Sequence, residues 1–297
     1  MKSWLYSLLV AGSLLGWASM SFGQAAPKAE DDSGAHAHVY KQVGGKDLQL
    51  YVFEPPNGDY KKPRGAVVVF HGGGWNQGSA EWAFWQARYF ASLGMVGISV
   101  EYRLSDGKDV TPVEAVEDAR AAIGWVRSHA GVLNIDAKKI AAYGESAGGH
   151  LAAAAGITEE NASKEELNGV PNALVLFSPA LNAGKNERFR KLLRPGQDVR
   201  SILPAEHIRN GMPSTIILTG ELDTMPSPPT LVEYCDKMKQ AHNRCELHIY
   251  PGVGHMLEAT GGSGAGSDTA AKARYDAYLK ADQFLMSLGY LPQGKKN

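Results

Sequence analysis

KIAAYGESAGGHLAAAA, residues 139–155, is the stretch that decides how this chain folds. Lys139–Tyr143 is a short, largely apolar run ended by a glycine, which predicts a strand. Ala147–Ala155 is mostly alanine, the best helix former. Between them Gly144-Glu145-Ser146-Ala147-Gly148 matches G-x-S-x-G. The pentapeptide alone is a weak signal, but a strand before it and a helix after it make it specific. A sharp strand-to-helix turn lifts the serine hydroxyl above the sheet in strained backbone geometry. Glycines two residues to either side remove the side chains that would collide there. The start of the helix adds free N–H groups and the positive end of its dipole. Ser146 is therefore the candidate nucleophile, and the Ala147 amide a candidate oxyanion donor.

The flanking sequence continues the same alternation. His38–Val43, a Gly44-Gly45 turn and Leu48–Phe53 predict an antiparallel hairpin. Ala66–Phe70 is a solid apolar run, as a strand buried on both faces should be. Trp82–Leu93 has helical spacing, Met95–Val100 is strand-like, and Val113–His129 repeats apolar residues at three and four. Ala173–Phe177, Ser214–Thr219 and Glu246–Tyr250 predict three further strands, with helices over Pro229–Gln240 and Ala271–Leu288. Strands alternating with helices imply an α/β fold: a mainly parallel sheet of about eight strands, helices on both faces, the first pair antiparallel. One connection breaks the rhythm. Residues 178–212 are rich in Arg, Lys, Asn and Pro, with Ile202, Leu203 and Ile208 as their apolar cluster. A connection that long predicts a small cap insertion over the site.

A serine hydroxyl attacks only when a base takes its proton. In strand–turn–helix sites the acid and then the histidine follow the serine along the chain, each just after a strand. His242 sits at a helix end and His248 inside the last predicted strand. His255 falls in Pro251-Gly-Val-Gly-His255, directly after that strand, and is the expected base. The preceding strand runs into Gly220-Glu221-Leu222-Asp223. Asp223 is the better placed acid, with Glu221 the alternative; its role is to fix the imidazole tautomer and stabilise the imidazolium. At the end of the Ala66–Phe70 strand, His71-Gly72-Gly73-Gly74-Trp75 lets the backbone approach a bound carbonyl. Gly73 and Gly74 thus join Ala147 as expected oxyanion donors. His71 is expected to hydrogen-bond its own loop. The glycine patterns of phosphate-binding loops are absent.

Composition narrows the partners. Of 297 residues 44% are hydrophobic and 21% charged, an ordinary globular balance. Lys and Arg number 30 against 31 acidic residues, a formal charge of −1, with no basic stripe for a nucleic acid. The chemistry calls for no metal and no cofactor. Met1-Lys2, the apolar run Leu5–Met20 and the small residues after it predict a signal peptide over residues 1–25. Cleavage there would release a secreted or periplasmic protein, with no stable membrane anchor. Residues 26–36 read as a flexible lead-in and 37–297 as a single catalytic domain. In an oxidising compartment Cys235 and Cys245, the two cysteines of the chain, are expected to form a disulfide.

HGGGW at 71–75, SVEYRL at 99–104, VEDARAAIGWV at 116–126, GESAGG at 144–149, TGELD at 219–223 and YPGVGH at 250–255 together resemble one family. It is that of the α/β-hydrolase esterases of the hormone-sensitive-lipase type, and within it the secreted acetyl and feruloyl carbohydrate esterases. The resemblance implies the α/β-hydrolase fold, Ser146, Asp223 and His255 as a catalytic triad, and the HGGG loop as oxyanion hole. It also implies a carboxylesterase working through an acyl-enzyme on a small ester or acylated polysaccharide. Two departures bear on the acyl pocket rather than the triad. Met256-Leu257 stands where the family often has Gly-Phe, and residues 261–267 are rich in Gly and Ser. Arg103 and Asp118 are expected to form a buried ion pair bracing the sheet, and Glu145 to tie the turn to a neighbouring loop. Trp75, Trp82, Trp85 and Met256 are candidates for lining the substrate pocket, with core packing the alternative for the tryptophans. The basic 178–212 segment disfavours a long alkyl tail, since burying its charges costs more than the tail gains. Acetyl to butyryl groups are the expected range. Two other functions could use the same residues: a peptidase or amidase, which the small cap disfavours, and an inactive binding protein of the same fold. Retention of both Ser146 and His255 counts against the latter.

Overall fold

The computed structural model describes residues 34–56, 61–158, 162–260 and 264–291. The strands are β1 His36–Val43, β2 Lys46–Phe53, β3 Arg64–Phe70, β4 Val96–Val100, β5 Ile135–Glu145, β6 Ala173–Phe177, β7 Ser214–Gly220 and β8 Cys245–Tyr250. The helices are α1 Phe84–Ser92, α2 Pro112–Ser128, α3 Ala147–Ala155, α4 Lys164–Asn168, α5 Glu187–Arg190, α6 Pro228–Gln240 and α7 Gly264–Ser287. All eight strands join one sheet in the order β1-β2-β4-β3-β5-β6-β7-β8. Pairs β1–β2 and β2–β4 are antiparallel, and every pair from β4–β3 to β7–β8 is parallel. The predicted signal peptide and residues 26–33 of the lead-in lie outside the described residues, and His36 already belongs to β1.

Successive side chains of a strand point to opposite faces, and β3 shows why its sequence has no polar gaps. Ala66, Val68 and Phe70 enter a core roofed by α2, α3 and α6, while Val67 and Val69 enter a second core roofed by α1 and α7. α2 begins with a full capping box: Thr111 at the N-cap, Pro112 in the first turn, and Glu114 reaching back to the Thr111 amide. Asp118 on the same helix is fully buried. It accepts from Arg103 Nε at 2.7 Å and Nη2 at 2.8 Å and from Lys41 Nζ at 2.6 Å, so the expected pair is a three-way cluster that also fastens β1. Cys235 of α6 and Cys245 of β8 have their sulfurs within bonding distance and their Cα atoms 5.4 Å apart.

Two boundaries differ from the sequence reading. α7 starts at Gly264 rather than Ala271; Ala270, buried one residue ahead of the expected start, is a weak hydrophobic signal beside exposed polar residues. The Trp82–Leu93 helix is a single 3₁₀ turn, Ala80–Ala83, followed by α1. The 178–212 insertion holds only α5 and isolated turns. Its best anchored side chain is Phe189, fully buried, whose period is invisible among the charges around it. Arg194 pins the insertion to the body by donating to Glu114 Oε1 at 2.5 Å.

Candidate active site

Loops at the C-terminal ends of β5, β6, β7 and β8 converge on one edge of the sheet, the usual place for a site in a parallel sheet. Ser146 follows β5 with φ 53° and ψ −114°, a left-handed backbone that a residue with a side chain adopts only under constraint. The constraint is close packing of backbone on backbone. A Cβ at Gly148 would overlap the carbonyl oxygen of Phe70, and one at Gly144 would overlap that of Gly148. Ser146 Oγ lies 2.9 Å from His255 Nε2, and His255 Nδ1 lies 3.0 Å from Asp223 Oδ2 and 3.1 Å from Oδ1. A carboxylate only accepts, so Nδ1 carries the imidazole proton and Nε2 presents its lone pair to the serine hydroxyl.

Asp223 is buried and well supplied with donors: the Met225 amide at 2.8 Å, the Thr219 hydroxyl at 3.3 Å and the Ser178 hydroxyl. Burial alone would raise its carboxyl. The hydrogen bonds from His255 and Ser178, the nearby imidazole charge and the Met225 amide outweigh burial and hold it below the ordinary aspartate value. Ser178, fully buried just past β6, also accepts from the Met256 amide at 3.0 Å, so it braces the acid loop and the histidine loop together. The sequence reading placed Ser178 at the start of the insertion and missed this. The signal available was a first polar residue after a buried strand at the same sheet edge as Ser146. Glu221, the alternative acid, turns away and accepts from the Gly252 amide at 3.1 Å. His248 sits within β8, its electrostatic neighbours being Lys280, Glu246 and Asp276.

The glycine loop lies against the nucleophile; a Cβ on Gly72 would be 3.6 Å from that of Ser146. Gly73 and Gly74 take φ values of 122° and 58°, open to glycine at little cost. The Gly73 carbonyl folds back to accept from the Asn76 and Gln77 amides, at 3.4 and 3.2 Å. Among the described residues no protein acceptor takes the Gly73 or Gly74 amide, and Ala147 opens α3, where first-turn amides lack helical partners. His71 stacks on Tyr102 with centroids 4.3 Å apart and donates from Nδ1 to its own loop at Gly72 O, 2.6 Å. Burial lowers its pKa, so it stays neutral.

A cleft of about 510 Å³ opens over Ser146, with Trp82 at its rim and Met256, Arg188 and Met225 in its walls. Of the four pocket candidates, Trp75, Trp82 and Met256 line the cleft and Trp85 does not. Trp75 borders the cleft, but its ring is 3% exposed, packed edge-on against Phe189 at 4.9 Å, and donates from Nε1 to His150 Nδ1 at 3.2 Å. Its φ of 65° turns the ring into the core. Trp85 lies outside the cleft, stacked on Tyr89 and edge-on to Tyr278, because the turn ahead of α1 sends it to the outer face. Trp75 accounts for His150 as well. With Nδ1 accepting, Nε2 donates to Ile202 O at 2.8 Å, and burial lowers the imidazole pKa to about 4. Glu145 accepts from Tyr143 Oη at 2.5 Å and from Gln86 Nε2 at 2.9 Å, so it ties the turn to α1 instead of a loop. Burial raises its pKa despite those donors.

Residues 50–176 match the BD-FAE family. An arylesterase of Saccharolobus solfataricus is 30% identical over 60% of this chain and 63% of its own length. An acetylxylan esterase of Xylanibacter ruminicola is 28% identical over 70% of this chain and 43% of its own, so the chain spans less than two thirds of either relative. Among solved structures, a thermophilic esterase of Thermogutta terrifontis with butyrate bound superposes with a TM-score of 0.75 at 36% identity. That match covers 88% of this chain and 97% of the other. The mostly parallel sheet, with a serine after β5, an acid after β7 and a histidine after β8, defines an α/β-hydrolase. Within that class the chain belongs to the α/β-hydrolase esterase family, related to the acetyl esterases.

Proposed function

We propose that this chain is an exported serine carboxylic-ester hydrolase that removes short acyl groups, acetyl or feruloyl, from plant polysaccharide. One observation carries the hydrolase assignment: Ser146 Oγ stands 2.9 Å from an imidazole nitrogen whose opposite nitrogen is held at 3.0 Å by a buried carboxylate. In the reaction His255 takes the serine proton as Oγ attacks the ester carbonyl. The amides of Gly73, Gly74 and Ala147 receive the oxyanion. His255 then returns the proton to the departing alcohol, leaving an acyl-Ser146. Water, deprotonated by the same imidazole, releases the acid and restores the serine.

The substrate assignment draws on the site's surroundings. The cleft is about 510 Å³ and carries Arg188 in its wall, which favours a compact acyl group beside a polar alcohol. Relatives described as an arylesterase and an acetylxylan esterase, and a neighbour holding butyrate, support the same class. Cys235 and Cys245, on α6 and β8 with Cα atoms 5.4 Å apart, are placed where a disulfide could close, which is compatible with export. Among the described residues no helix is long and apolar enough to cross a membrane. The decisive experiment pairs turnover with labelling. The protein should hydrolyse p-nitrophenyl butyrate, and an organophosphate should stop it at one equivalent, with the adduct on Ser146 by mass spectrometry. Turnover that survives in Ser146→Ala, or an adduct elsewhere, overturns the assignment.

A further inference from the structure

Trp82 is 59% exposed, Trp85 57% and Tyr275 71%, unusual values for side chains that folding normally buries. They are not scattered. Trp85 stacks on Tyr89 with centroids 5.5 Å apart and planes 15° from parallel, and Tyr278 meets the two edge-on at 5.1 and 4.9 Å. Tyr89 donates to Asp282 at 2.6 Å, and the Tyr278 and Tyr143 hydroxyls are 3.0 Å apart, so the rings under the surface are held rigidly. Tyr275 lies one helical turn before Tyr278 on α7, close enough to act electrostatically on Tyr89. At the other end Trp82 forms the rim of the cleft and meets His71 edge-on at 6.2 Å. Trp82 precedes Trp85 by three residues along the turn into α1, and Trp85 meets Tyr278 of α7, so the exposed rings lead from the cleft rim towards α7.

We infer that the strip Trp82, Trp85 and Tyr275 holds the polysaccharide chain whose acyl group sits at Ser146; this deepens, and rests on, the hydrolase reading of the cleft. A pyranose ring presents a face of polarised C–H groups that lies flat on the negative face of an aromatic ring. Indole N–H and phenol O–H at the ring edges can meet its hydroxyls. Of the exposed large apolar side chains described on α1, the turn before it and α7, Leu279 alone is aliphatic. Continuity with the cleft selects the occupant. A sugar chain resting on Trp85 reaches Ser146 by way of Trp82, whereas a second protein seated there would cover the mouth through which substrate must pass.

The test uses Trp85→Ala, Tyr275→Ser and their combination, with p-nitrophenyl acetate as the small substrate and acetylated xylan as the polymer. The small ester should be hydrolysed as by wild type. The xylan concentration giving half-maximal acetate release should rise about five-fold in the double variant. Ser146→Ala should still be retained on insoluble xylan, and Ser146→Ala combined with Trp85→Ala and Tyr275→Ser should not. Tyr275→Ser keeps the test alive if loss of Trp85 harms folding, because Tyr275 is almost free of the core. Unchanged dependence on xylan overturns the strip, as does a shift from dimer to monomer in sedimentation without any effect on xylan. A wild type that hydrolyses the small ester but ignores xylan also overturns the strip and leaves the hydrolase reading standing. Hydrolysis of neither overturns that reading, while retention of Ser146→Ala on xylan still measures the strip by itself.

Discussion

Ser146, His255 and Asp223 meet within hydrogen-bonding distance, and each makes a separate prediction. Ser146→Ala should fold normally and lose more than about 10⁴-fold in kcat, any remainder coming from the oxyanion amides. Asp223→Asn should cost about 10⁴-fold, because the amide cannot hold the required tautomer. Glu221→Gln should be close to neutral; the reverse ranking would move the acid to Glu221. Ser178 is a positioning residue. Ser178→Ala should lower kcat about 10-fold while KM stays put, since the carboxylate and the Met256 amide lose one shared partner without any contact to substrate being removed. A shifted pH profile of kcat at unchanged KM would support that role, and a raised KM would refute it. That these three side chains meet was legible because each follows a recognisable strand in a known order. Ser178 was not, because its partners lie 45 and 78 residues further on and only the assembled sheet brings them to it.

Among the elements, α3 and α2 hold the groups whose protonation should set acid stability. His150 on α3 joins Trp75 to Ile202 of the insertion as a neutral ring. Its folded pKa, about 4, lies below the unfolded value, so its contribution is complete above about 6.5 and fades as pH falls through 4. Glu114 behaves alike in a lower window. Burial opposes ionisation, but bonds from Arg194 and Thr111 prevail and hold it at about 2; its contribution is complete above the usual glutamate value and fades as pH falls towards 2. Melting temperature against pH should therefore fall in two stages, and His150→Gln should remove the upper one. A single stage unaltered by that substitution would dismiss the account. Asp118→Ala should destabilise by about 1.5–3 kcal/mol, because it takes the shared carboxylate from the half-buried Arg103 and Lys41. Thiol titration of the denatured, unreduced protein should find no free cysteine, and reduction should lower stability by about 2–3 kcal/mol. Strand positions were readable from apolar runs. Ring directions were not: the positive φ of Trp75 sends its ring into the core, and the separate turn ahead of α1 sends Trp85 to the surface.

Across the whole molecule, the shape of the cleft and the charges beside it set the range of acyl groups. Among p-nitrophenyl esters of two, four, eight and twelve carbons, kcat/KM should peak at two or four; a maximum at eight or beyond would mean that residues 178–212 shelter an alkyl tail. The overall architecture was legible because alternating strands and helices admit few arrangements. The outer aromatic strip was not, since exposure depends on which helices fail to cover one another. The order of the sheet also carries a consequence in time. Ser146 and His255 are 109 residues apart, and His255 follows β8, an edge strand paired only with β7. Pairings of that range are slow to close. During refolding from denaturant, tryptophan fluorescence should recover first and ester hydrolysis last, with every partly built sheet silent. A newly made chain would gain the power to cut esters only once its edge strand β8 docks, so the onset of hydrolysis would time that docking.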